Sequence, residues 1–135
     1  MTLKTLIVDD DEVITFIHEN VVAESELSAQ PMTAINGREA LECISANLTN
    51  DTAYLVLLDI NMPVMNGWQF LNALDETPFA DQVYVIIVTS SVDRADHEKA
   101  KEFERVFGYI EKPITVDNCQ RIKNIPALSE LFLQK

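Results

Sequence analysis

The sequence predicts an α/β protein, a (βα)5 doubly wound fold on a five-stranded parallel sheet. Three observations carry this. Short apolar runs alternate with amphipathic segments along the whole chain. The runs "AYLVLLD" and "QVYVIIVTS" are apolar without interruption and rich in β-branched and aromatic residues, as parallel strands covered on both faces are. The length, 135 residues with 47% hydrophobic, suits a single domain able to bury an ordinary core.

The strands are expected at Leu3–Val8, Pro31–Ile35, Tyr54–Asp59, Val83–Val88 and Phe107–Glu111, the second being the weakest signal. Between the first two, Val13, Ile17 and Val21 recur at four-residue spacing with Ile14 beside them, and predict an amphipathic helix. Leu41, Ile44 and Leu48 line a second helix, opened by Asn36 with Glu39 three residues on. Phe70, Leu71 and Leu74 mark a third. Asp93 is placed to cap a fourth, running through Ala100 and Phe103. Thr115 or Asp117 opens a fifth, which Pro126 should end or kink. No Gly/Ser linker or repeat divides the chain, so residues 1–135 read as one domain. Its core spans about 3–125, and 126–135 extends the fifth helix.

Ligands of such sheets bind outside the carboxyl ends of the strands, where the winding reverses. Strand one runs out in "LIVDDDE", with Asp9, Asp10, Asp11 and Glu12. Strand three ends at Asp59, strand four at Thr89 with Ser90 and Ser91, and strand five at Lys112. Clustered carboxylates of this kind suit Mg²⁺ (or Mn²⁺), a hard cation that takes oxygen ligands. With a hydroxyl and a fixed cation added, the set suits phosphoryl transfer, Asp59 attacking phosphorus while Thr89, Lys112 and the metal hold the charged oxygens. Asp11 and Glu12 read as helix caps.

The motifs "LIVDDDE", "LLDINMPVMNGWQFL", "IIVTSS" and "GYIEKPI" resemble the receiver domain of two-component response regulators, from about Leu3 to the helix after Pro113. The D-x-x-M-P-x-M-x-G match from Asp59 to Gly67 is the most specific part. The resemblance implies the flavodoxin-like, CheY-like strand order 2-1-3-4-5. It implies Asp59 as phosphoacceptor, Asp10 as direct metal ligand and Asp9 as the acid that reaches the metal through water. Asn61 would give its backbone carbonyl to the metal, and Ser90 is the small residue beside the phosphoryl group. Thr89 would follow the phosphoryl group and Lys112 pair with it. Tyr109 falls at the aromatic switch position, rotating inward as Thr89 moves, and the Lys112–Pro113 bond is expected cis. Asn61 and Ser91 beside the site would influence the lifetime of the phosphoryl group.

Two segments depart from the family's pattern. "FERVFG" lacks the small residues usual before strand five, and Pro126 interrupts the fifth helix. Both fall on the face of helix four, strand five and helix five that such domains use for signalling.

The chain carries 22 acidic against 10 basic side chains, a net charge of −12. That argues against direct DNA binding, which needs a basic face. No run nears the ~20 apolar residues of a membrane span, so no insertion is expected and the cytoplasm is the expected compartment. Cys43 and Cys119 lack metal-ligand spacing and read as reduced thiols. His18 and His97 fall on helices and read as surface residues, because the phosphohistidine donor would belong to a partner. The implied partners are a sensor histidine kinase or histidine phosphotransfer protein, then a downstream protein target, with no output domain. The chain is expected to catalyse only its own phosphorylation and dephosphorylation. A phosphatase resembling the haloacid dehalogenases would need a second Asp where Asn61 stands, since an amide transfers no proton. A flavodoxin-like cofactor binder would need a hydroxyl- or glycine-rich phosphate loop where the acids stand.

Overall fold

The computed structural model describes residues 2–90 and 93–133. Strands and helices alternate as β1 (Thr2–Val8), α1 (Glu12–Glu24), β2 (Met32–Ala34), α2 (Gly37–Asn47), β3 (Thr52–Leu58), α3 (Gly67–Asp75), β4 (Val83–Thr89), α4 (Arg94–Ala100), β5 (Val106–Glu111), α5 (Val116–Lys123) and α6 (Pro126–Leu133). A 3-10 turn at Ala80–Gln82 leads into β4. All strand pairs are parallel, in the order β2-β1-β3-β4-β5. This is the expected doubly wound sheet, each expected strand appearing with small shifts at its ends.

The two-residue alternation of the strands sends side chains into two cores. Leu6, Val8, Tyr54, Val56, Leu58, Val85 and Ile87 pack beneath α2 and α3. Leu3, Ile7, Leu55, Leu57, Ile86 and Val88 pack beneath α1, α5 and α6. Every residue of β3 is buried, which is why its sequence is apolar throughout rather than alternating.

The caps form as the sequence suggests. The Asn36 side chain accepts from Glu39 N–H and Asp93 from Ala95 N–H, while Thr115 rather than Asp117 opens α5 in a reciprocal box with Asn118. Helix α1 departs from expectation. Val13 and Ile17 are 68% and 38% exposed, as is Phe16 at 66%. The buried face runs through His18 and Val22, with Ile14 half-buried. The four-residue apolar spacing is real, but the helix is rotated so that part of that stripe meets solvent.

The C-terminal segment is also not an extension of the fifth helix. Asn124 caps α5, and Pro126 opens a separate α6, a position where its missing N–H costs nothing. Leu128 and Leu131 of α6 are buried in the second core. The bulky stretch before β5 is accommodated by a register shift, Val85 pairing with Val106 but Ile86 with Gly108. The extra residue, Phe107, tilts against Tyr84, and the Arg105 guanidinium lies over both rings.

Tyr54 is fully buried, and its hydroxyl has no hydrogen-bond partner among the described residues. A buried hydroxyl left unpaired costs about 1–3 kcal/mol. Tyr54→Phe is therefore expected to raise the stability by about 1 kcal/mol; a lower urea midpoint at unchanged slope would contradict it.

Candidate functional site at the carboxyl ends of the strands

The site is assembled by backbone pairing. Asp9 N–H donates to Ala34 O at 3.1 Å, and Asp59 N–H to Val8 O at 2.9 Å, so both acids extend the sheet by one step. By alternation they share the face of Ile7 and Leu57, the side covered by α1 and α5. Asp59 is 3% exposed and Asp9 is also buried, whereas Asp10 is exposed. Carboxylate oxygens of the three lie within 4.8 Å of one another.

Lys112 enters from the turn after β5. Its N–H donates to Thr89 O at 2.9 Å, which ties that turn to the end of β4. Its Nζ donates to Asp9 Oδ2 at 2.9 Å and stands 3.3 Å from Asp59 Oδ2. Burial works against the ammonium, but the Asp9 hydrogen bond and the Asp59 charge outweigh it and raise its pKa. The Asp59 carboxyl is also pushed above the ordinary carboxylate value. Burial is the largest cause and Asp9 the next, only partly offset by Lys112 and by the N–H of Asn61. One ammonium thus pairs with the two buried carboxylates of a three-acid cluster, and Asp59 is the acid held above its ordinary pKa.

Thr89 is wholly buried at the end of β4. Since Leu58 pairs with Ile87, Thr89 stands one step beyond the level of Asp59. Tyr109 on β5 is half-buried and stacks on His97 of α4, ring centroids 4.7 Å apart and nearly parallel at 2°. Asn61 and Ser90 are exposed. Ser91 lies outside the described residues. Asp11 caps α1, accepting from Val13 and Ile14 N–H. The Lys112–Pro113 bond is cis.

The Asp59–Gly67 motif works sterically. Gly67 N–H donates to Ile60 O at 2.8 Å, and a Cβ there would stand 2.7 Å from Asp59 O. Only glycine lets α3 begin so close to the Asp59 backbone. Between them Val64 adopts φ +67°, with Met65 N–H bonded to Pro63 O at 2.7 Å, a tight turn that costs a β-branched residue about 1–2 kcal/mol.

One residue near the site is misread from sequence alone. His18, expected at the surface, is 2% exposed and its Nε2 accepts from Ile114 N–H at 3.1 Å, two residues after Lys112. Its place on the stripe Ile14–His18–Val22 is the signal that could have revealed it. His97, by contrast, is exposed.

The family model for the response regulator receiver domain matches residues 5–123. The chain belongs to this family. It is 33% identical over 112 residues to a probable cyclic di-GMP phosphodiesterase of Vibrio cholerae, covering 82% of this chain but only 23% of that protein. It is 29% identical to two-component response regulator 24 of Arabidopsis thaliana, covering 89% and 81%. A two-component response regulator from Legionella pneumophila superposes with a TM-score of 0.77 at 26% identity, covering 92% and 97%. Receiver domains are signalling domains of two-component systems, and here the acidic pocket is one that could hold a metal ion. Among the described residues, no helix is long and apolar enough to cross a membrane.

The raised pKa of Asp59 sets a pH dependence. Folding favours the protonated carboxyl, so its contribution is present below the ordinary carboxylate range and is lost as pH rises through the raised folded value. Without metal, Asp59→Asn is expected to be more stable than wild type at pH 7 by on the order of 1 kcal/mol, the gain fading in acid. Urea midpoints at pH 7 and pH 4 with chelator check this; an equal gain at both would refute the electrostatic origin.

Proposed function

We propose that this receiver takes a phosphoryl group onto Asp59 from a histidine kinase or a histidine phosphotransfer protein and signals by phosphorylation-dependent protein contact. The observation that carries the reading is the buried Asp59 carboxylate beside the Lys112 ammonium, at 3.3 Å, with Asp9 and Asp10 in the same cluster.

An Asp59 oxygen forms the new P–O bond while the donor's P–N bond breaks, its electron pair leaving with the donor imidazole. Lys112 stays protonated and holds negative charge on a phosphoryl oxygen. Thr89, at the end of the neighbouring strand, provides a hydroxyl toward another. Mg²⁺ (or Mn²⁺), when bound, supplies the positive charge that offsets the acids and the transferring oxygens. Asp9, Asp10, Asp59 and the Asn61 carbonyl would hold it, and their oxygen-only donor set fits such an ion. Tyr109 is the switch: an inward rotation gives up its stack on His97, so phosphorylation shifts a balance between two ring positions.

The surface beside the acids supports a protein donor. Val13, Phe16 and Ile17 of α1 are exposed, as is Ile35 after β2, and a cleft of about 330 Å³ runs among Asp9, Asp10, Glu12, Phe16, Glu19 and Ile35. An apolar surface ringed by acids suits a partner that presents apolar and basic side chains.

Incubation with acetyl phosphate and Mg²⁺ is expected to add one phosphoryl group to the intact mass of wild type and none to Asp59→Ala or to protein in chelator. An unchanged wild-type mass with the fold intact, or a gain that survives Asp59→Ala, would overturn the reading.

A further inference from the structure

The buried imidazole of His18 takes no part in the chemistry above, yet it bonds to the segment that carries Lys112. That segment, Lys112 to Thr115, is anchored at three points. Lys112 N–H donates to Thr89 O, Ile114 N–H donates to His18 Nε2, and Thr115 opens α5 with its capping box. Pro113 has no N–H to offer, and among the described residues the His18 bond is the hydrogen bond that ties this turn to α1.

We propose that His18 is a positioning residue: by accepting the Ile114 N–H it pins the turn after β5 against α1 and so fixes the reach of the Lys112 ammonium to Asp9 and Asp59. The inference rests on the phosphoacceptor reading of Asp59.

Without the acceptor, the Ile114 N–H is buried and unpaired, a state the chain relieves by letting the turn move toward water. Lys112 lies two residues upstream and moves with it. A misplacement on the scale of an ångström at a group that holds charge on a transferring phosphoryl slows the reaction by a factor on the order of ten to a hundred.

Acceptance at Nε2 also requires a neutral ring with its proton on Nδ1. A protonated ring turns a donor toward the Ile114 donor and adds positive charge near Lys112. The charged groups acting on His18 are Asp9 from the end of β1 and Lys112 from the turn; burial lowers its pKa, opposed by Asp9 and assisted by Lys112. Its neighbours one turn away on α1, Ile14, Thr15, Val21 and Val22, are uncharged. From α5, the titratable side chains along this seam are Cys119 and Lys123, which meet α1 at its far end around Ser25. The ring is therefore neutral at neutral pH, and the clamp loosens in acid.

The test compares His18→Leu, which fills the space without an acceptor, with His18→Gln, which keeps an acceptor that does not titrate. Phosphoryl uptake from acetyl phosphate is read by intact mass against pH, and the Lys112 ammonium and Ile114 amide by NMR. His18→Leu is expected to take up the group about tenfold more slowly at pH 7.5, with the Lys112 signal displaced and Mg²⁺ affinity retained. His18→Gln is expected to keep the neutral-pH rate and the Lys112 signal, and to show less decline in acid than wild type. A folded His18→Leu with the wild-type rate, or His18→Gln with the wild-type acid decline, would overturn the proposal. Should wild type itself take no phosphoryl group, the reading of Asp59 fails. The clamp is then judged on the Lys112 signal, and an unmoved signal in His18→Leu sinks it.

Discussion

The site turns on the ammonium of Lys112 standing between Asp9 and Asp59, at 2.9 and 3.3 Å. Carboxylates gathered at the end of a buried sheet repel one another, and burial removes the water that would screen them. A single cation bridges the ends of β1 and β3, the two strands that carry the buried acids. It reaches them because its own N–H is bonded to Thr89 at the end of β4. The same ion pair therefore ties together three strand ends and one loop. The balance remains negative, which leaves an acidic pocket that could hold a metal ion.

The surroundings serve this arrangement by holding backbone close to the acids. Gly67 brings the start of α3 against Asp59 O, and the turn at Val64 accepts a left-handed φ on a β-branched residue to make the connection. His18 holds the Lys112 turn from the opposite side. On the sheet's far edge, Tyr109 rests on His97 of α4, and Trp68 of α3 stacks on Phe103, just beyond α4, with the Lys99 ammonium over its ring. Helix α4 is thus held by aromatic contacts rather than by a deep apolar seam, Ala100 being its buried residue. Such contacts are worth about 0.5–1.5 kcal/mol each.

Much of this was legible in the residues. Unbroken apolar runs marked β3 and β4, capping patterns marked α2, α4 and α5, and polar residues at strand ends marked Asp9, Asp10, Asp59, Thr89 and Lys112. The misreadings have one kind of cause. Apolar residues at helical spacing show that a helix is amphipathic, but on α1 the stripe through Val13 and Ile17 and the one through Ile14, His18 and Val22 lie side by side. Spacing does not say which of them meets the sheet. Pro126 likewise announced a break without saying that a new helix would follow and bury Leu128 and Leu131.

By itself the sequence determined the element order, the fold class and the chemical kinds of residue gathered at one sheet edge, because those depend on local patterning and on strands ending where polar residues begin. Tertiary structure alone decided the orientation of α1, the burial of His18, its bond to Ile114 and the sharing of Lys112 between two acids. These arise from groups up to 103 residues apart in the chain. The free energy of burying each one depends on what the fold brings against it, which no local pattern encodes.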